Sequence, residues 1–318
     1  MRMMMKRMSF ATATLCWAAL AGSIAHGDTL GDAQGNPGEG DAEGMVERRV
    51  PADPRGEVEI VNVAGDVRVS GWDRPEVLVN ADLGHNVKRL KVESDARSRR
   101  TWIKVEQPPG LISGGGTDLV VKVPRDSALT VNTISADQRV TDVRGAQRLQ
   151  AVSGEINTQV WSEELAVKTI GGDVTVSAHK EPGVIAVNTV SGNVTLSDAA
   201  GELTLETVTG DMNIGMQTLT RGRIRTTNGD LRLGASLAKD SRLDAEAVNG
   251  DLSFMLRQPV DAEFDIATFN GEIDNCFGPK SERTHQYAPG NNLRFSEGGG
   301  NARVRVKTLN GGVELCRE

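Results

Sequence analysis

Nine times the chain writes nearly the same word: a β-prone residue, a small polar residue, glycine, usually an acid, then a β-branched or aliphatic residue. The copies centre on Gly65, Gly154, Gly172, Gly192, Gly210, Gly229, Gly250, Gly271 and Gly311, and a tenth, Ile134-Ser135-Ala136-Asp137, carries alanine in place of the glycine. Counted from Ala136, the marker recurs after 18, 18, 20, 18, 19, 21, 21 and 40 residues, so the last gap reads as two periods. A period near twenty means stacked units, each too small to bury its own apolar face. The repeat constrains architecture far more tightly than function.

Between the glycines the pattern alternates, as at Leu203, Leu205, Met212 and Ile214 around Gly210, or Val304, Val306, Val313 and Leu315 around Gly311. Period two with β-branched residues means strands with one buried face, so each repeat supplies two short strands meeting at a corner. The Ser-Gly, Thr-Gly and Asn-Gly corners admit positive φ at little cost. Two foldings fit: hairpin turns in an antiparallel meander or sandwich, or bends of a coil whose strands stack in parallel on the next coil. The near-constant period favours the second. The predicted fold is all-β, a single elongated β-solenoid (parallel β-helix-like) with about 18–21 residues per coil and an irregular N-terminal cap. Helical periodicity is nearly absent. Glycine and proline cluster at 108–116 and 289–300, which read as loop excursions. One domain over 46–318 is expected, irregular over 46–120 and regular over 121–318.

Residues 1–27 place Arg2, Lys6 and Arg7 before an apolar run from about Phe10 to Ile24, then small residues, which reads as a cleaved secretory signal peptide. The run is short for a membrane span, and no second such stretch follows, so no transmembrane segment is expected after cleavage. Cys16 lacks the small residues that precede a lipidated cysteine. Residues 28–45, rich in Gly, Asp and Glu, suit a flexible tether. Cleavage removes three bases and no acid, taking the formal charge from −7 to −10. Such a surface repels nucleic acid and anionic membranes, so no nucleic-acid partner is expected. Localisation is expected to be periplasmic or extracellular.

Cys276 and Cys316 each stand five residues beyond a repeat glycine, Gly271 and Gly311. Equivalent positions in adjacent coils lie about 4.8 Å apart, within the reach of a disulfide. An oxidising compartment favours the Cys276–Cys316 bridge over two free thiols.

The repeated corners, Gly71-Trp72-Asp73 after the first of them, and Val121-Lys122-Val123-Pro124 at the start of the regular coils together resemble the bacterial putative-adhesin family, a β-strand-repeat domain of unknown function. The likeness covers about 46–318. It implies an exported right-handed β-solenoid of the cell envelope, and it brings no catalytic residues with it.

Asp66, Asp173, Asp211, Asp230 and Asp251, with Glu155 and Glu272, would form a column if the coils stack in register. Solvated corner residues are the simpler reading than a calcium ladder, because the nonapeptide pattern of calcium-binding rolls is missing and Asn193 and Gly312 interrupt the column. The acids follow the repeat instead of gathering beside a groove, which argues against a carbohydrate-active enzyme. His85, His179 and His285 lack metal-ligand spacing, and the glycine triplets 114–116 and 298–300 lack the lysine of a phosphate loop. Trp72, Trp102, Trp161 and Tyr287 are too dispersed for a sugar-stacking stripe and suit caps or plugs, with Trp72 closing the N-terminal end. The expectation is a non-enzymatic interaction or scaffold module, adhesin-like, with no catalytic residues, metal or cofactor, an unknown envelope protein or glycan as partner, and a monomeric or weakly self-associating state. The other readings are an enzyme on the same fold and a self-assembling structural protein.

Overall fold

The structure, a computed structural model, describes residues 44–318 apart from 86, 108–115, 162, 180–181 and 286–287. The expected signal peptide, most of the expected tether, residues 108–115 of the first expected loop excursion and Tyr287 therefore lie outside the described residues. Those described form 22 strands in one hydrogen-bonded sheet, with no helix among them. Among the described residues no helix is long and apolar enough to cross a membrane.

Alternation dictates the interior. Along Glu164–Gly171, Leu165 and Val167 are fully buried while Glu164 and Lys168 are exposed, and the same figure repeats in coil after coil. The coils stack in parallel, in register: Val131 pairs with Leu149, then Val167, Val187, Leu205, Ile224 and Ala245 in succession. Beyond the corner a second column runs Ile156, Val174, Val194, Met212, Leu231 and Leu252. Hairpin corners would have set these strands antiparallel. Together the two columns make one continuous apolar core, burial worth roughly 1.5–3 kcal/mol for each large aliphatic side chain.

Stacking order departs from chain order at both ends. The 40-residue gap does not hold a coil beyond Gly271: the last coil, Ala302–Asn310 with Val313–Arg317, lies between the Gly250 and Gly271 coils. Ala245 and Ile266 both pair with Val306, while Leu252 and Ile273 both pair with Val313. The chain overshoots one layer, turns back through Ala288–Glu297 antiparallel to Ala262–Asn270, and fills the slot it left. At the other end Glu57–Trp72 is itself a full coil, although it falls in the stretch expected to be irregular. It pairs with Ala128–Thr141 on one side and with Arg100–Glu106 and Asp118–Pro124 on the other.

Both outermost layers are covered by antiparallel strands. Glu76–Leu83 and Arg89–Asp95 cover the N-terminal side, Gly44–Pro51 pairs onto the first of them, and Glu282–His285 extends the C-terminal hairpin. Trp72 does not close the end. It sits half-buried in the second layer, its Nε1 donating to Glu76 O at 2.8 Å, because three further strands follow outside it. Antiparallel cover satisfies the backbone groups that a bare edge would offer to other chains.

Candidate functional site

Three parallel ladders run along the corner of the coils, each built from one position of the repeat. From Gly172 onward each corner glycine sits on that of the adjacent layer, and eight of the nine have φ between 105° (Gly65) and 144° (Gly229, Gly311). A β-carbon on Gly229 would collide with Gly210 O, so both the conformation and the close approach require glycine. Gly271 is the exception: its φ is not left-handed, and contact with Gly311 O alone excludes a side chain there.

The first ladder follows the glycine. Asp137 Oδ1 accepts the backbone N–H of Glu155 at 2.8 Å, Asp173 that of Asn193 at 2.7 Å, Asn193 that of Asp211 at 3.0 Å. Asp211, Asp230 and Asp251 do the same for Asp230, Asp251 and Gly312 at 2.9, 2.9 and 2.7 Å. The corner acid is thus an acceptor for the next coil's N–H. Asn193 does not interrupt the series, because an amide oxygen serves as well as a carboxylate oxygen for this bond.

The second ladder precedes the glycine. Asn249 donates its side-chain amide to Asn228 at 2.7 Å, Asn310 to Asn249 at 2.8 Å and Asn270 to Asn310 at 2.9 Å. Ser153 bonds Ser135 at 3.2 Å earlier in the stack.

The third ladder is apolar and faces outward. Two residues before each corner stand Ile134, Val152, Ile170, Val190 and Val208, then Thr227, then Val248, Leu309 and Phe269, in stacking order. The eight apolar ones are between 39% (Val152) and 54% (Ile170) exposed. The sequence pattern contains these residues as the β-prone start of the repeat word; which side of the pleat they occupy follows from the inward Thr or Ala that comes immediately before. That inward column includes Thr169, Thr189, Thr207, Thr226, Thr268 and Thr308, all buried. Thr169 Oγ1 donates to Gly171 O at 3.0 Å and Thr268 Oγ1 to Gly311 O at 2.9 Å, whereas those of Thr207, Thr226 and Thr308 are buried without a partner. Where Thr227 breaks the apolar column a groove of about 480 Å³ opens, lined by these three threonines with Thr227, Val248 and Leu309.

Beside the ladders two outward rows alternate in charge by layer, Glu206-Arg225-Glu246-Lys307 and Arg223-Asp244-Arg305-Asp265, while a third runs Glu202, Arg221, Arg242, Arg303 and Glu263. Glu202 pairs with Arg221 and Arg225 with Glu246, both at 3.3 Å. In the inserted coil Arg303 meets Glu263 at 3.2 Å and Arg305 meets Asp265 at 3.5 Å. Arg305 also stands opposite Asp244, and Lys307 opposite Glu246.

Cys276 and Cys316 are bonded across the Gly271 and Gly311 coils, with Cα atoms 4.8 Å apart. The tryptophans are scattered: Trp161 stacks on His179 with centroids 3.8 Å apart under Arg144, and Trp102 lies beside Arg100. Among the described residues no group of acids, histidines and cysteines has the geometry of a metal site.

The family model described as Toastrack DUF4097 matches residues 58–315. Solved structures similar to the chain include a "putative adhesin" from Parabacteroides distasonis, 12% identical, covering 86% of this chain and 98% of that one with a TM-score of 0.42. A second "putative adhesin", from Bacteroides fragilis, is 8% identical over 86% and 97% of the two chains with a TM-score of 0.40. A "putative lipid binding protein" from Parabacteroides distasonis is 12% identical over 87% and 98% with a TM-score of 0.32. No curated protein matches the chain.

Proposed function

The chain belongs to the Toastrack DUF4097 family, and from that premise we propose that it is an exported, non-enzymatic β-solenoid acting as an interaction or scaffold module of the cell envelope. The observation that carries this reading is the outward apolar ladder. Eight exposed aliphatic or aromatic residues in one line, from Ile134 to Phe269 and interrupted once at Thr227, form a patch of the kind that marks an interaction site. The acids nearest to it are engaged as backbone acceptors, a structural duty. In this reading residues 1–27 are a signal peptide, 28–45 a tether that gives reach, and 46–318 the solenoid; the compartment is the periplasm or the cell exterior, and the partner an envelope protein or glycan.

The test is capture from envelope extract, with a glycan array beside it, using the mature chain and an Ile170→Lys/Val208→Lys variant. Both positions are exposed, so the variant should melt as the wild type does. A partner retained by the wild type and lost by the variant is expected. Capture of nothing, or of the same set by both, would remove the reading.

A further inference from the structure

We infer that the occupant of the apolar ladder is a polypeptide segment that is both cationic and amphipathic, with a line of aliphatic side chains flanked by lysines or arginines. This rests on the interaction-module reading and gives it a partner chemistry.

The ladder supplies the first half of that chemistry. Its residues repeat once per coil, roughly 4.8 Å apart, so the surface is a straight, narrow strip. A strip of that form matches an elongated segment carrying aliphatic groups in a row; a compact small molecule would cover only one or two rungs. Apolar burial supplies affinity along such a contact in proportion to the area removed from water.

The acid rail supplies the second half. Asp137, Asp173, Asp211, Asp230 and Asp251 run beside the strip, one residue past each glycine where the apolar rung lies two residues before it. Each gives Oδ1 to a neighbouring backbone N–H, and none takes part in an ion pair among the described residues. Like charges at strand spacing repel, and salt screens them only in part. A partner that brings ammonium or guanidinium groups alongside relieves this repulsion, and the complementarity steers its approach. A second mature copy brings the same rail and a formal charge of −10, from −7 less the leader's three bases, and an anionic membrane brings the same sign, so both meet repulsion where a basic segment meets attraction.

The groove at Thr227 adds a local feature. It lies at the Thr227 rung beside Val248 and Leu309, with Arg225, Glu246 and Lys307 also on its lining. A break in an otherwise even strip is where one larger anchor side chain seats, and such sockets concentrate binding energy.

The probe is a fluorescent twelve-residue peptide of alternating lysine and valine, with Lys/Ser and Glu/Val peptides of the same length, titrated against the mature chain by anisotropy. The Lys/Val peptide should bind at least about tenfold more tightly than either control, and its affinity should fall as salt rises. An Asp211→Asn/Asp230→Asn/Asp251→Asn variant keeps the three Oδ1 acceptors, so it should fold normally yet bind the Lys/Val peptide severalfold more weakly; Val208→Ser should also weaken it. Equal binding of the Lys/Ser peptide, equal binding of the Glu/Val peptide, or wild-type affinity in the triple variant would each overturn the inference. If that happens while an envelope partner is still captured through Ile170 and Val208, the partner chemistry is wrong and the interaction reading stands; loss of capture as well removes both.

Discussion

Asn310 donates its side-chain amide to Asn249 at 2.8 Å across 61 residues of sequence, and accepts a bond from Asn270 on its other side at 2.9 Å. The end of the chain is therefore the penultimate layer of the stack. Its apolar residues Val304, Val306, Val313 and Leu315 are held between Ala245 and Leu252 below and Ile266 and Ile273 above.

Removing residues 302–318 should empty a whole layer of the core. Four large side chains at roughly 1.5–3 kcal/mol each put the loss on the order of 6–12 kcal/mol, comparable with the total stability of a domain. Limited proteolysis should then cut within 257–301 while the coils from Ala128 to Leu256 persist, since repeat stacks lose stability layer by layer. Protection of 257–301 equal to that of the full chain would count against the intercalated order.

Charge in the Arg305 row favours that order, although in a neighbouring row it sets Arg303 against Arg242. Arg305 lies between Asp244 and Asp265, which would face each other if the coils stacked in sequence. Arg305→Glu should cost about 1–2 kcal/mol from like charges opposed on both sides, read as a lower melting midpoint. Asp265→Arg in the same chain should restore part of it, because the outer pair becomes attractive again; a double variant no more stable than the single one would sink this account.

The Cys276–Cys316 bridge closes a loop over a separation of 40 residues. Chain entropy puts its contribution at about 4 kcal/mol. Reductant, or Cys316→Ser, should lower the melting midpoint by several degrees. Alkylation of the unreduced, denatured protein should add no mass at these two cysteines.

At the corners, Asp230→Asn should leave stability unchanged, because Asn193 already fills the same role two coils earlier. Asp230→Ala strips the acceptor from the Asp251 N–H and should cost about 1 kcal/mol. Since the acids bond to backbone, EDTA or millimolar calcium should leave the wild-type midpoint where it is. A calcium-dependent rise would show that the ladder holds cations.

Acid should loosen the entry to the final coil. Asp261 accepts from the Asn301 side chain and backbone, with the Gly299 and Gly300 N–H groups nearby, and this holds its carboxyl below the ordinary 3.8. A depressed folded-state pKa favours the folded form above the unfolded value, and that contribution disappears as pH falls through the lower folded value. From about pH 5 to pH 3 the wild-type midpoint should therefore drop further than that of Asp261→Asn; parallel curves would contradict it.

Much of this was legible in the residues. Period two and the corner glycines are local signals, so the all-β class, the coil length and the inward Leu, Val and Ile positions could be read directly, as could the spacing that brings Cys276 beside Cys316. The use of Asp173 or Asp230 could not, because an acid on a turn reads as solvated until the next coil's N–H is placed against its Oδ1.

Layer order was likewise invisible. Each coil carries the same apolar repeat, so any coil could rest on any other as far as burial is concerned; the choice falls to the charges of Asp244, Asp265 and Arg305 and to the hairpin through Ala288–Glu297 that carries the chain back. The outward ladder from Ile134 to Phe269 belongs to the same class. A valine before a glycine is simply a strand residue in one dimension, and it becomes part of an exposed apolar line once the pleat turns it outward and parallel stacking aligns eight such residues.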